Sequence, residues 1–305
     1  MNNAPSANKK SDNGSVVRTL AAIGAAAGYL ALYFLIQIVM TAFVAFGYVL
    51  VNLPPDLEGD SILDTISYRM GEISFVVIIV STIAMFAAVV IIRLIRDRKK
   101  PLAGREGVLC ATGFTAFKPV LIPILIALGF FLNVFVSLML TILPIPEDVL
   151  IEYEIQSSLL GETTVLSVIA TTIFAPLSEE LIFRHMLISR LRRGMPVTAA
   201  ALIASVIFGM VHGQILWACY AFLLGLLIST VYLRARSAAA SALLHAAFNG
   251  TSFILPLLPI SDDAPQAVFY AIAGVAGAAS VTLSIAVVLL TKEKKTAPDA
   301  DEVNA

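Results

Sequence analysis

Long apolar runs separated by short polar stretches dominate the chain. A membrane-spanning helix needs about 20 mainly apolar residues. Runs at about 20–52, 73–95, 119–143, 163–189, 196–216, 218–233, 237–260 and 266–291 meet or approach that length. The pattern predicts an all-α, polytopic membrane protein with about eight transmembrane helices. The first run is longer than one crossing needs and is expected to tilt or to project from the bilayer. The sixth is short. The polar ends divide the chain into a disordered cytoplasmic tail over 1–15, a transmembrane helical domain over 16–291 and a second cytoplasmic tail over 292–305.

Composition agrees with this division. The chain is 59% hydrophobic and 13% charged, against roughly 45–50% and about 25% for a soluble domain. The net charge of −1 conceals a separation of sign. Segments 54–72, 144–162 and 262–263 are acidic, with Arg69 their one basic residue. Alternate connections carry Arg93, Arg96, Arg98, Lys99 and Lys100, then Arg190, Arg192 and Arg193, then Arg234 and Arg236. Basic connections face the cytoplasm, so both termini are expected there, with the protein in the plasma membrane. No cleavable leader is expected. Cys110 and Cys219 stand apart and predict neither a disulfide nor a metal site. The basic connection over 96–118 is expected either to lie on the anionic inner leaflet or to be a plain solvated loop. No nucleic-acid signature is present, and the expected partner besides substrate is the bilayer itself.

One apolar run holds an unusual polar group, Ser178-Glu179-Glu180-Leu181-Ile182-Phe183-Arg184. A charge at the centre of a membrane helix costs roughly 2.5–3.5 kcal/mol on insertion scales, so these residues need partners. Residues four apart share a helical face. Glu180 is therefore expected to pair with Arg184, leaving Glu179 about 100° away and freer to act as a general base. Two later runs supply Phe208-Gly-Met-Val-His212 and His245-Ala-Ala-Phe-Asn249. Phe208 can pack beside His212. His245 and Asn249, on one face, make a pair of hydrogen-bond donors suited to an oxyanion. Glu179 with His212 would hold and deprotonate a water, which requires a wet cavity. Each residue taken alone has a bland reading: an intramembrane histidine is often a helix-to-helix hydrogen bond, and Glu180–Arg184 is equally a structural ion pair. Counted along the helices, His212 lies deeper than Glu179 and His245, an offset that tilt would have to remove.

Glu-Glu-x-x-x-Arg, Phe-x-x-x-His and His-x-x-x-Asn, in that order on separate runs, resemble the CAAX protease and bacteriocin-processing family, also called the CPBP or Abi family. The resemblance covers about 159–259 and implies an intramembrane endopeptidase. Relatives cleave prenylated proteins near the C-terminus, or process other membrane-associated peptides. It implies Glu179 as the catalytic glutamate, Glu180 and Arg184 as the rest of its motif, His212 as a water-positioning group, and His245 with Asn249 as the oxyanion site. Relatives commonly have glycine after the motif arginine; here that position is His185, read as a packing histidine.

The expected reaction is hydrolysis of a peptide bond in a membrane-associated or lipidated substrate by glutamate-activated water, with no cofactor. An alternative assigns Glu179, His212 and His245 to Zn²⁺. It lacks a His-Glu-x-x-His helix and leaves as base only Glu180, which Arg184 already claims. A further alternative is non-enzymatic: a membrane scaffold or regulator, or a transporter, keeping the same buried polar helices. No internal repeat supports transport.

Overall fold

The computed structural model describes residues 7–52, 70–98, 107–158, 163–257 and 264–292. All regular secondary structure among these residues is helical. The helices are α1 (Ala7–Asn52), α2 (Met70–Asp97), the short α3 (Val108–Thr112), α4 (Leu121–Ile142), α5 (Glu147–Ser158), α6 (Val165–Leu191), α7 (Val197–Met210), α8 (Ile215–Ala235), α9 (Ala238–Ile254, closing in a 3₁₀ turn) and α10 (Gln266–Leu290).

Among the described residues seven helices are long and apolar enough to cross a membrane: α1, α2, α4, α6, α8, α9 and α10. The expected span over 196–216 is instead the 14-residue α7, about 21 Å long at 1.5 Å per residue. It stops because Gly213 takes a left-handed φ of 75°, a conformation that suits glycine. The chain then reverses into α8, whose first turn is capped by the Gln214 side chain accepting from Trp217 N at 3.0 Å. The acidic stretch 144–162 is a connection as expected and carries the short α5. It packs on the start of α8 through Tyr153 and Trp217, ring centroids 6.0 Å apart. The tail expected to be disordered over 1–15 is helical from Ala7, since extending an established helix costs little beyond its nucleus. The part of the C-terminal tail beyond Lys292, and most of the acidic segment 54–72, lie outside the described residues.

Two apolar cores set the frame. One surrounds α6, where Leu181, Ile182, Phe183 and Ile188 are fully buried against Ala26 of α1, Met85 of α2 and Ala200, Ala204 and Phe208 of α7. The other joins Leu121, Leu125 and Leu128 of α4 to Ile228 of α8, Leu244 and Phe248 of α9 and Val287 of α10. Helix α9 belongs to both neighbourhoods. Leu244 and Phe248 face the second core, while the next residue along, His245, faces α6. Its approach to α4 needs Gly129, where a Cβ would come within 2.7 Å of Phe248 N. Large apolar side chains such as Leu20, Phe43 and Phe46 of α1 remain exposed, which fits a lipid-facing surface.

Candidate active site

Helix α6 is not a regular α-helix. Ala170–Phe174 and Glu180–Ile188 are π-helical, with five-residue spacing of the hydrogen bonds. Pro176 gives a physical reason for the first stretch. Its ring would collide with the carbonyl four residues back, and it has no N–H to donate. In the π register its missing donor is the one that Thr171 would have received. The Thr171 carbonyl instead accepts from Asn249 Nδ2 of α9 at 2.9 Å. Thr82 of α2 braces the same region, donating to Phe174 O at 3.1 Å.

The second π stretch begins at the paired glutamates. Arg184 Nε lies 3.3 Å from Glu180 Oε2, and both side chains are 0% exposed. The contact is an ion pair without an aligned hydrogen bond. The guanidinium lies 4.6 Å from the centroid of the Phe208 ring, a cation–π contact that is stronger away from water. The other oxygen of Glu180 accepts from His245 Nδ1 at 3.2 Å. His245 Nε2 lies 3.7 Å from Glu179 Oε2, with side-chain exposures of 4% and 20%. One imidazole thus bridges both glutamates. Of these four ionisable groups Glu179 alone has substantial access to the exterior.

Phe208 is the hub of the packing. Its ring makes edge contacts with Phe183, His212 and His245 at centroid distances of 5.1, 4.8 and 5.7 Å. His212 stands in the α7–α8 turn, where its Nδ1 donates to Phe208 O at 2.6 Å. Because a single ring touches both imidazoles, the depth offset counted along the helices does not separate His212 from His245.

The structure therefore gathers Glu179, Glu180, Arg184 and His245 directly, with His212 across the Phe208 ring and Asn249 one turn along α9. Two pairings differ from expectation. Glu179 stands against His245 rather than His212. The Asn249 amide is engaged by a backbone carbonyl rather than standing open beside His245. Glu179, His212 and His245 are not gathered as ligands: among the described residues no three His, Cys, Asp or Glu side chains are placed to hold a metal ion.

One neighbour from α1 was missed in the sequence. Tyr33 stacks edge-on to Phe183 at 6.4 Å, and its hydroxyl bonds Gln37 and interacts electrostatically with Glu179. The available signal was Tyr33 and Gln37 four residues apart inside an apolar run. His185, next to Arg184, points away from the site and pairs its Nε2 with Ala111 O at 3.1 Å, consistent with packing. The large cavities described below also lie elsewhere, at the arginine-rich end of the bundle.

Fold and site together define an all-α, multi-pass integral membrane protein with a buried carboxylate–imidazole–guanidinium centre between α6 and α9. Residues 161–251 match the sequence model of the Rce1-like family, type II CAAX prenyl endopeptidase Rce1-like. That is a family of CAAX-type intramembrane proteases, and the match agrees with the motif resemblance. The matched segment contains Glu179, Glu180, Arg184, His212, His245 and Asn249. No curated protein and no solved structure matches the chain.

Proposed function

We propose that this chain is an intramembrane endopeptidase that hydrolyses a peptide bond in a membrane-associated or lipidated peptide or protein, with Glu179 as the base. The observation that carries this reading is the division of labour between the two glutamates. Glu180 is sealed and held on both sides, by Arg184 and by His245. Glu179 is partly exposed and faces the far nitrogen of the same imidazole.

The chemistry follows from that arrangement. Glu179 takes a proton from water, and the hydroxide adds to the scissile carbonyl. The Glu180–Arg184 pair fixes the His245 ring through Nδ1–H. The proposed reaction needs a proton on Nε2 of His245, which lies 3.7 Å from Glu179, too long for a hydrogen bond, and is left to donate to the developing oxyanion. The proton held by Glu179 passes to the leaving amine as the tetrahedral intermediate collapses. Asn249 follows His245 by one turn of α9; turning its amide from the Thr171 carbonyl would add a second donor. Preorganised donors of this kind are each worth about 100- to 1000-fold in rate.

We also propose that both termini lie in the cytoplasm, on the side of the basic connections. The plasma membrane is the proposed location.

The test compares membrane-associated peptides from cells carrying the parent chain with those from cells carrying Glu179→Gln. Products should vanish in the variant while the protein persists in the membrane at the parent level. Unchanged products would remove Glu179 as base. A phenotype that survives with no products in either strain would favour the scaffold reading.

A further inference from the structure

Two cavities open side by side where α1, α2 and the end of α6 meet. The first, about 490 Å³, is lined by Arg93 and Arg96 of α2 and by Arg190, Arg192 and Arg193 around the end of α6. The second, about 630 Å³, runs along α1 over Ala21, Ala25, Gly28 and Leu32, with Arg18 at its edge. Tyr29, Arg190 and Arg193 line both. The result is a basic chamber continuous with an apolar groove.

The walls are fastened. Arg190 Nη2 donates to Tyr29 Oη at 3.0 Å, and its guanidinium lies 5.2 Å from the Tyr29 ring centroid. Thr19 Oγ1 donates to Gly194 O at 2.6 Å, tying α1 to the α6–α7 turn. Among the described residues the charge in the chamber is balanced only in part. Asp97, 3% exposed, pairs with Arg93 at 3.2 Å and Arg96 at 3.7 Å. Among the described residues no carboxylate is ion-paired with Arg190, Arg192 or Arg193.

The tendency of basic residues to mark one face of the membrane accounts for arginines at this end of the bundle. It does not account for their lining a chamber, or for the apolar groove that leads out of it. Guanidinium forks match phosphate oxygens in paired hydrogen bonds, and basic pockets between membrane helices receive anionic headgroups. A free anion would use the chamber alone, whereas an acyl chain needs the groove. We infer that the two cavities together bind one anionic phospholipid, its phosphate among Arg93, Arg190 and Arg193 and one acyl chain along the Ala21–Leu32 face of α1.

Native mass spectrometry of the purified full chain in detergent, titrated with phosphatidylglycerol or phosphatidylcholine, tests this. One phosphatidylglycerol should be retained in preference to phosphatidylcholine. Arg193→Gln should weaken that retention about fivefold. Ala25→Phe, which fills the groove and keeps every charge, should weaken it comparably; Ala21→Leu replaces it should Ala25→Phe unfold. Arg234→Gln removes an arginine that lines a different cavity and should leave retention unchanged. Equal retention of the two lipids would overturn the proposal. So would an equal loss in Arg234→Gln, which would indicate diffuse surface charge. Loss in Arg193→Gln with full retention in the groove variants, and competition by inorganic phosphate, would reassign the chamber to a free anion.

Discussion

His245 takes one oxygen of Glu180 through Nδ1 at 3.2 Å, while Arg184 holds the other at 3.3 Å. The carboxylate thus serves two partners from different directions and is itself wholly buried. In the proposed reaction this makes Glu180 a positioning residue, acting through the orientation of His245 rather than by touching substrate. The distinction is measurable. Removing one member of a buried ion pair costs about 3–5 kcal/mol, because the other charge stays behind. Glu180→Leu or Arg184→Met alone should therefore lower the melting temperature sharply. The pair Glu180→Leu/Arg184→Met removes both charges and should recover much of the loss, since buried pairs are often replaceable by apolar groups. Proteolysis should not recover, because His245 no longer has its acceptor. A double variant with parent activity would show that Glu180 only supports the fold.

Asn249 tests the oxyanion assignment against a structural one. Its amide satisfies the Thr171 carbonyl that Pro176 leaves without a helical donor. Asn249→Ala should cost about 1–3 kcal/mol if that carbonyl is left unpaired. A structural role ends there. An oxyanion role adds a fall in kcat of about 100-fold or more with KM little changed. Measuring the melting temperature and both kinetic constants on the same preparation separates the two. A stable variant with parent kcat would leave His245 as the sole donor.

Much of this centre was legible before any coordinates, and the parts that were not have definable causes. The Glu180–Arg184 contact and the packing of Phe208 on His212 follow from four-residue spacing, which describes contacts within one helix. What His245 would face is a matter between helices, and nothing in the spacing on α9 states that both ring nitrogens point at α6. The π-helical stretches are a second cause. A regular helix puts Glu179 about 100° from Glu180, yet in the structure both carboxylates reach one imidazole. Pro176 was the visible sign of the first π stretch; the second, at the glutamates, has no such mark. The short α7 had a sign as well, Gly213, inside a run whose apolar length argued for a full crossing. Helix α5 was hidden because its acidic and apolar residues are spread around the helix and none is buried, so no periodic face marks it.

Metal dependence has a direct check. In the proposed reaction every proton is handled by Glu179 and His245. Dialysis of the purified chain against a chelator should leave proteolysis within about twofold of the untreated enzyme, on the scale at which losing one donor costs 100-fold or more. Metal content is measured on the same sample. Activity that disappears on dialysis and returns with Zn²⁺ in a one-to-one ratio would replace the proposed chemistry with a zinc-bound water.

The contact between His185 and the loop after α3 predicts a stability effect remote from the chemistry. Gly113 has φ of 75°, its carbonyl accepts from Ala238 N at 2.8 Å, and a Cβ there would collide with His185 Nδ1. Gly113→Ala therefore carries two penalties. The left-handed backbone costs roughly 1–2 kcal/mol for a residue with a side chain, and the collision adds a packing cost. Changing His185→Gly in the same chain removes the collision and keeps the backbone penalty. The single variant should show the larger drop in melting temperature, and the double variant should regain part of it. Because Ala238 opens α9, its backbone N–H donating to Gly113 O anchors the helix that carries His245. Gly113→Ala should thus also lower activity in proportion to the folded fraction. A Gly113→Ala protein as stable as the parent would mean that this loop does not hold α9 in place.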